Sequence, residues 1–138
     1  MAETIRQLTY YKVMVPNRTG EGARLLGALH NAGLNLLAFS GFPSGNKKAQ
    51  FDFIPEDAAS FERAATRAGI RAGAKKTVFL VQGEDRVGAL ADIFAKLAAA
   101  KVSIIALDGI AAGFSRYGAI FWVKPKDVAK AARAVGAV

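Results

Sequence analysis

The sequence predicts an α+β fold of two βαββαβ repeats with antiparallel sheets, in which the second repeat lacks its last strand. Three features predict this fold: an internal duplication, apolar stripes at helical spacing, and strands in which apolar and polar residues alternate. The 138 residues are 52% hydrophobic and 22% charged. This composition is typical of an ordered chain with enough apolar side chains to form packed cores.

The duplication starts at a short polar turn. Asn17–Gly20 returns as Asp85–Gly88, and in the same register Leu34–Gly41 aligns with Val102–Gly109. Apolar residues align with apolar residues at nearly every step, so the match indicates a repeated structural unit.

The alignment continues after a shift. A second hairpin that is longer by two residues is expected to change the register, so that Ala49–Pro55 aligns with Ala119–Pro125. The predicted repeats are then residues 5–74 and residues 75–138.

Each repeat is predicted to run strand, helix, strand, strand, helix. The first strands, Tyr10–Val15 and Thr77–Val81, are rich in the β-branched and aromatic residues that strands prefer. The first helix of each repeat carries an apolar stripe at helical spacing. The stripes consist of Leu25, Leu26 and Leu29 in one repeat and of Leu90, Ile93, Phe94 and Leu97 in the other.

Turn residues and alternation predict the remaining elements. Hairpin loops are expected at residues 43–46 and 113–116, where glycine and serine favour turns. Residues 49–53 alternate between apolar and polar, which indicates a strand with one buried face. A proline followed by an acid opens the second helix of each repeat, at 55–57 and at 125–127.

The second repeat is expected to lack a fourth strand. On the alignment above Val138 matches Ala68, so the second repeat ends where the first continues into Gly69. A sheet without its edge strand exposes unpaired backbone groups. We expect the N-terminal residues, the 70–76 linker or a second chain to fill the gap.

Several function classes are excluded by residue types. The absence of cysteine rules out disulfides, thiolate zinc sites and cysteine nucleophiles. The chain shows no nucleophile–base pairing, phosphate loop or metal-ligand spacing. Its single histidine, His30, is interpreted as a partly buried packing residue near Leu26 and Leu29. We therefore expect a non-catalytic protein that needs no cofactor and no metal.

The same sequence indicates a cytoplasmic location. The N-terminus lacks the apolar run of a signal peptide, and no stretch reaches the roughly 20 apolar residues of a membrane span. The lack of cysteine fits a reducing compartment. We therefore expect a soluble, cytoplasmic chain without membrane contact.

Basic residues dominate the charge. The formal net charge is +8, and one stretch holds five basic residues with no acid among them: Arg63, Arg67, Arg71, Lys75 and Lys76. Such a stretch indicates contact with nucleic acid or with an acidic protein, or else a solvated helix face and linker. No helix-turn-helix, RNA-binding aromatic motif or zinc finger accompanies it.

Two short motifs resemble those of ACT-domain proteins. Asp85–Leu90 resembles the family's acid-basic-x-Gly-x-Leu pattern between the first strand and the first helix, and Gly33–Leu36 resembles its entry to the second strand. The first repeat departs from the pattern with Asn17 for the acid and Gly22 for the leucine. The resemblance covers about residues 8–136 and implies tandem ferredoxin-like modules that bind amino acids, commonly where two modules meet.

The repeated turn also has the physical features of an amino-acid site. Amides at the start of a helix have no intrahelical partner, and together with the helix dipole they favour a carboxylate. Gly20 and Gly88 permit close approach of the backbone, while Asn17 or Asp85 offers oxygens to an ammonium group. The alternative is that Asn17 and Asp85 only cap the turn.

These observations predict a homodimeric, non-catalytic regulatory sensor that binds a small amino acid or a related metabolite. The backbone around the two glycines would hold the carboxylate, and Asn35 and Ser103 would assist from a neighbouring strand or an opposed subunit. Two alternatives stay open: an interaction module that docks a protein on an exposed sheet edge, and a nucleic-acid-binding protein that uses residues 63–76. The candidate ligand-binding residues are Asn17, Arg18, Thr19, Gly20, Asn35, Asp85, Arg86, Val87, Gly88 and Ser103.

Overall fold

The predicted order of elements occurs twice along the chain. A computed structural model describes residues 3–138, and in this range the chain forms six strands, four α-helices and one short 3-10 helix. The first five elements are β1 (Thr4–Pro16), α1 (Glu21–Asn31), β2 (Leu36–Ser44), β3 (Lys48–Pro55) and α2 (Ala58–Ala68). The next five are β4 (Lys76–Glu84), α3 (Ala91–Ala99), β5 (Ile104–Gly113), β6 (Arg116–Val123) and α4 (Val128–Val135), with the 3-10 helix Pro125–Asp127 before α4. The predicted α+β class is therefore confirmed.

The chain divides into two compact units. The first unit is Thr9–Lys76, and the second unit is Thr77–Val138 together with residues 3–8. The predicted bounds of 5–74 and 75–138 differ from these units at residues 5–8, which belong to the second unit, and at residues 75–76, which belong to the first. The difference at residues 5–8 arises because β1 is 13 residues long and is divided between the two units.

In the first unit the sheet is antiparallel and carries its helices on one face. Phe53 of β3 lies opposite Tyr11 of β1 and opposite Phe39 of β2. On the other side of β1, the amide of Gly73 donates to the carbonyl of Lys12 at 2.8 Å. The largest fully buried side chains of this unit's core, which β1, β3 and both helices supply, are Val13, Leu25, Leu29, Phe53 and Phe61.

The second unit repeats this arrangement. Phe121 of β6 lies opposite Phe79 of β4 and opposite Leu107 of β5, again in antiparallel pairs. Phe79 and Phe121 stack with their ring centroids 4.9 Å apart. Ile93 and Leu97 of α3 pack into the same buried cluster, so the predicted apolar stripe of this helix faces the sheet.

Strand pairing corrects the predicted alignment of the repeats. Phe53 and its partner Tyr11 correspond to Phe121 and its partner Phe79, 68 positions later in each case. The predicted two-residue shift in the second hairpin is therefore wrong, because β5 and β6 keep the spacing of β2 and β3. The extra residues lie after β6, at 124–127, where the first unit has only residues 56–57 between strand and helix. A slide of two residues leaves the alternation of a strand unchanged, so the pattern alone could not detect the error.

The end of the second repeat is also corrected. Gly69 and Gly136 end α2 and α4 in the same left-handed conformation, with φ of 70° and 69°. Gly136 therefore corresponds to Gly69, and the chain runs two residues beyond it rather than stopping at the equivalent of Ala68. No strand follows α4 in the described part of the chain, as predicted.

Residues 4–8 of β1 fill the place of the missing strand. They lie beside β4, and the side chains of Thr4 and Arg6 both donate to Gln82. On their other edge the amide of Gln7 donates to the carbonyl of Val138 at 2.8 Å. Of the three expected segments, the N-terminal residues thus complete the second unit, while the linker at Gly73 pairs with β1 in the first.

We expect Ile5 to be essential for the second unit although it lies 72 positions before Thr77. Ile5 is 9% exposed and belongs to the buried cluster of this unit, so Ile5→Ala should lower the free energy of unfolding by about 2–5 kcal/mol. Urea unfolding followed by the fluorescence of Trp122, the single tryptophan, reports on this unit. Val87→Ala, at a fully exposed position of the same unit, is the control and should change stability by less than about 0.5 kcal/mol. Equal effects of the two substitutions would contradict the role of residues 4–8.

Candidate functional site

The two predicted loops, Asn17–Gly20 (the first loop) and Asp85–Gly88 (the second loop), occupy equivalent positions. Each follows the first strand of its repeat and leads towards a helix. The amide of Asn17 donates to the carbonyl of Lys47 at 2.9 Å, and the amide of Asp85 donates to the carbonyl of Ser115 at 2.8 Å. Both acceptors lie in the hairpin loop of their unit, 68 positions apart, so each loop is tied to its hairpin in the same way.

The first loop leads directly into α1. Gly20 is the residue before the helix and has a φ of 94°, which glycine adopts without steric cost. The amide of Arg24 donates to the carbonyl of Gly20 at 2.9 Å, which places the amides of Gly22 and Ala23 in the first turn, where no intrahelical acceptor exists. The first loop therefore presents the positive end of a helix to an anion.

An internal carboxylate already lies close to this loop. Glu21 accepts a hydrogen bond from Arg24 at 2.8 Å, and its carboxylate lies 3.7 Å from the guanidinium of Arg18. The hydrogen bond from Arg24 lowers the pKa of Glu21, so this side chain is ionised at neutral pH. The backbone of Arg18 is also engaged, because its amide donates to the carbonyl of Pro16 at 3.0 Å and its carbonyl accepts from the amide of Glu21 at 3.4 Å. The donors that the first loop offers to a ligand are therefore the amides of Gly22 and Ala23 rather than any group of Arg18.

The second loop reaches its helix through an additional turn. Gly88 has a φ of 70°, but α3 begins only at Ala91. The amides of Ala89 and Ala91 donate within the loop, to the carbonyls of Arg86 and Gly88. The second loop thus has fewer open amides than the sequence predicts, because its helix starts three residues after the glycine.

Arg86 is engaged in ion pairs. Its guanidinium lies 3.4 Å from Glu3 and 3.7 Å from Asp92, and Glu3 also accepts a hydrogen bond from Tyr117 at 2.7 Å. Burial raises the pKa of Tyr117, and the hydrogen bond to Glu3 raises it further. Arg86 therefore contributes to the fold of the second unit.

The side chains of Asn17 and Asp85 do not cap their helices. Neither side chain makes a hydrogen bond or an ion pair among the residues that the structure describes, and both residues are exposed. The capping alternative is thus not what the structure shows, and the oxygens of both side chains are open to solvent.

Asn35 and Ser103 lie far from the loops of their own units. Each is exposed and comes directly before the second strand of its repeat, whereas the loop is tied to the hairpin at the other end of that strand. Because β2 has nine residues, a span of roughly 30 Å separates Asn35 from the first loop. The structure therefore does not bring Asn35 or Ser103 to a loop within one unit.

The side chains beneath the two loops differ in a compensating way. In the first unit the ring of Phe51 lies 3.5 Å from where a Cβ on Gly22 would stand and 2.7 Å from a Cβ on Gly41. In the second unit Leu90 and Ala119 hold the equivalent positions, and Leu90 reaches towards Gly109 as Phe51 reaches towards Gly41. Gly22 stands where the ACT pattern has leucine, and the larger Phe51 on β3 accompanies it. In the second unit the leucine is present as Leu90, and the strand has the smaller Ala119.

Sequence reasoning missed a polar cluster in the first unit. A cavity of about 620 Å³ lies between α2, β1 and the segment 70–75; we call it the α2 cavity. The hydroxyl of Tyr11 donates to the carboxylate of Glu62, and the ammonium of Lys75 lies 3.6 Å from the same carboxylate. Burial raises the pKa of Tyr11, whereas the hydrogen bond from Tyr11 lowers the pKa of Glu62. These residues lie far apart in the sequence, and no local pattern links them.

Two further observations concern metal and membrane chemistry. From residue 3 to residue 138 no three histidine, cysteine, aspartate or glutamate side chains lie where they could hold a metal ion. No helix in this range is long and apolar enough to cross a membrane.

His30 is exposed on α1, so the predicted packing role of its side chain is wrong.

Solved structures share this fold. A protein from Bacteroides thetaiotaomicron aligns over 96% of this chain and 88% of its own, with a TM-score of 0.80 and 16% identity. The ligand-free regulatory subunit of aspartate kinase from Thermus thermophilus aligns over 98% and 93%, with a TM-score of 0.63 and 19% identity. Aspartokinase III from E. coli, in complex with aspartate and ADP, aligns over 97% of this chain and 32% of its own, with a TM-score of 0.54 and 14% identity. At these identities the likeness establishes the fold alone, and no protein-family model and no curated protein matches the chain.

We predict that Gly22→Leu destabilises the protein by about 1–3 kcal/mol. A Cβ at Gly22 would already be in contact with the ring of Phe51, at 3.5 Å, so the methyl groups beyond it would press against that ring. In a Phe51→Ala background the same substitution should stabilise the protein, since the leucine then fills the space as Leu90 does beside Ala119. Gly27→Leu on the same helix is the control, because a Cβ at Gly27 meets open space. Urea unfolding of the unmodified chain, Gly22→Leu, Phe51→Ala and the double variant gives the coupling free energy between the two positions. A Gly22→Leu effect that is the same in both backgrounds would contradict the compensation.

Proposed function

We propose that this chain is a non-catalytic regulatory protein of the ACT type, which binds a small amino acid or related metabolite through its two loops. The observation that carries the proposal is the repeated loop geometry. In each loop a glycine with positive φ leads towards a helix. The nearby side chain, Asn17 or Asp85, is exposed and makes no hydrogen bond or ion pair among the described residues. Backbone amides suit a carboxylate, and a carboxylate or amide oxygen suits an ammonium group.

The first loop is the stronger carboxylate site, and the second is the stronger ammonium site. The first loop opens directly into α1, but its Asn17 carries no charge. The second loop reaches α3 only through an additional turn, but it has the acidic Asp85 where the first loop has the neutral Asn17. The likeness in fold to regulatory subunits of aspartate kinase supports a regulatory role for such a pair of sites.

A homodimer through β5 would complete the site. β5 is the edge strand of the second unit, and nine of its ten residues are exposed. Its sequence contains one charge, Asp108, and no proline, so it lacks the features that keep edge strands apart. Large apolar side chains extend this surface: Ile105 (58% exposed), Leu107 (45%), Ile110 (70%) and Phe114 (100%).

The edge strand of the first unit is better protected. β2 contains Pro43, and its first five residues are partly buried. Among the large apolar residues of β2, only Phe42 is exposed, at 45%. The contrast between the two edges favours β5 as the surface that pairs with a second copy.

Antiparallel pairing of two β5 strands would bring Ser103 to a loop. Two copies related by a twofold axis place the start of one β5 beside the end of the other. Ser103 lies at the start of β5, and the second loop is tied to the hairpin at its end. The ligand would therefore contact the second loop of one copy and Ser103 of the other, which explains why the second unit alone does not assemble its predicted residues.

A second candidate function rests on the same strand. The unpaired backbone of β5 is also suited to add a strand from a different protein. The chain would then act as an interaction module without a ligand, and the two loops would have a purely structural role.

A thermal-shift screen of the twenty amino acids tests ligand binding. A ligand at 100 times its Kd adds about 2.7 kcal/mol to the stability, so we expect one or a few amino acids to raise the melting temperature by several degrees. Asp85→Ala should remove most of this rise, whereas Glu56→Ala, which removes the same charge from an exposed position elsewhere, should keep it. No rise with any amino acid would favour the interaction module.

Sedimentation velocity tests the dimer. We expect a dimer for the unmodified chain and a monomer for Ile110→Asp, because a charge at the centre of a pairing surface is both desolvated and repelled by its symmetry mate. Leu26→Asp introduces the same charge at an exposed apolar position of α1 and should leave the dimer intact. A dimer that survives Ile110→Asp would place the interface elsewhere.

A further inference from the structure

A second binding site is indicated by the α2 cavity of the first unit. The cavity shares no residue with the two loops, and the proposed function does not use it. Its walls include the aromatic ring of Tyr11, the apolar side chain of Ile70 and the cationic side chains of Arg71 and Lys75. It therefore combines an apolar floor with positive charge at its rim.

A smaller groove of about 350 Å³ extends the cavity along α2. The groove is lined by Glu62, Arg63, Thr66 and Arg67, and Glu62 and Thr66 also line the cavity. The shared residues make the two depressions continuous. Together they hold four cationic side chains and a single carboxylate.

The one carboxylate is already satisfied. Glu62 accepts a hydrogen bond from Tyr11 and pairs with Lys75 at 3.6 Å, so its charge is balanced within the cavity. By contrast, Arg67 and Arg71 form no ion pair among residues 3–138, and both residues are exposed. Guanidinium groups without an internal acid are the usual receptors for phosphate and carboxylate groups.

The segment that carries Arg71 is fixed in place by the sheet. Ala72 forms a bridge with Val13, and the amide of Gly73 donates to the carbonyl of Lys12 at 2.8 Å. Arg67 lies in the last turn of α2. Both arginines are therefore attached to ordered backbone, so less conformational freedom is lost when an anion binds to them.

We propose that the α2 cavity and its groove bind a small polyanion, a molecule with several phosphate or carboxylate groups. The anionic groups contact Arg67, Arg71 and Lys75, and the remainder of the molecule lies against Tyr11 and Ile70. The volume accommodates a ligand of metabolite size. This site is independent of the loops, so it lets a second kind of small molecule act on the same regulatory chain.

Isothermal titration calorimetry at low salt tests the site, with inorganic tripolyphosphate and citrate as probes. We expect one molecule of at least one probe to bind per chain. The variant Arg67→Ala/Arg71→Ala should weaken binding by roughly tenfold or more. Glu62→Gln should tighten it, because the only acid of the cavity is removed. Loss of folding would lower the affinity for the probes in both variants. A lower affinity in one variant and a higher affinity in the other therefore indicates an effect at the site itself.

Matched controls separate this site from general charge and from the loops. Arg116→Ala/Lys124→Ala removes the same charge from exposed positions of the second unit. It should change the affinity less than twofold, because exposed charges away from the site contribute little to binding. Asp85→Ala should leave the binding of both probes intact, whatever its effect on amino acids. No binding of either probe, or equal losses in the two double variants, would overturn the proposal. Binding of a mixed oligonucleotide but of neither probe would overturn it in favour of nucleic acid.

Discussion

The fold depends on the requirement that the backbone groups at the edge of a sheet find partners. Residues 4–8 of β1 lie beside β4 and take the place of the strand that the second repeat lacks, while the rest of β1 is the first strand of the first unit. One strand of 13 residues therefore belongs to two compact units. The boundary of the units falls inside this strand because each half is paired with a different part of the chain.

Much of this fold could be predicted from the sequence, because helices and strands follow local patterns. The twofold order of elements, the apolar stripe of α3 and the positions of both loops are confirmed. In the stripe predicted for α1, Leu25 and Leu29 are buried but Leu26 is exposed, so that part of the prediction is wrong. The alignment of β6 is wrong because strands repeat every two residues, and a slide of two residues moves no side chain to the other face. With the alignment corrected, Phe51 corresponds to Ala119 rather than to Phe121, and the reason for Gly22 becomes visible. The match between Gly22 and Phe51 depends on how the strands are paired in the folded chain, and a single sequence does not determine that register.

The candidate site could be predicted only in part, for a related reason. The loops are local features and were found, but the distance from Asn35 to the first loop follows from the direction of β2. The side chains of Asn17 and Asp85 do not cap their helices, and the sequence alone could not decide this point. The α2 cavity was missed because Tyr11, Glu62 and Lys75 meet through the packing of α2 on β1. The basic stretch that the sequence did reveal contributes one side of that cavity.

The central claim is that the loop amides and an opposed β5 receive one ligand together, and amide chemical-shift mapping tests it most directly. An amino acid that raises the melting temperature would be titrated into the ¹⁵N-labelled protein, with one amide signal followed for each assigned residue. The account predicts the largest shifts at Gly88 and a shift at Ser103 that is lost in the monomeric Ile110→Asp variant. Shifts confined to residues outside both loops, with Gly20, Gly88 and Ser103 unchanged at saturation, would contradict it.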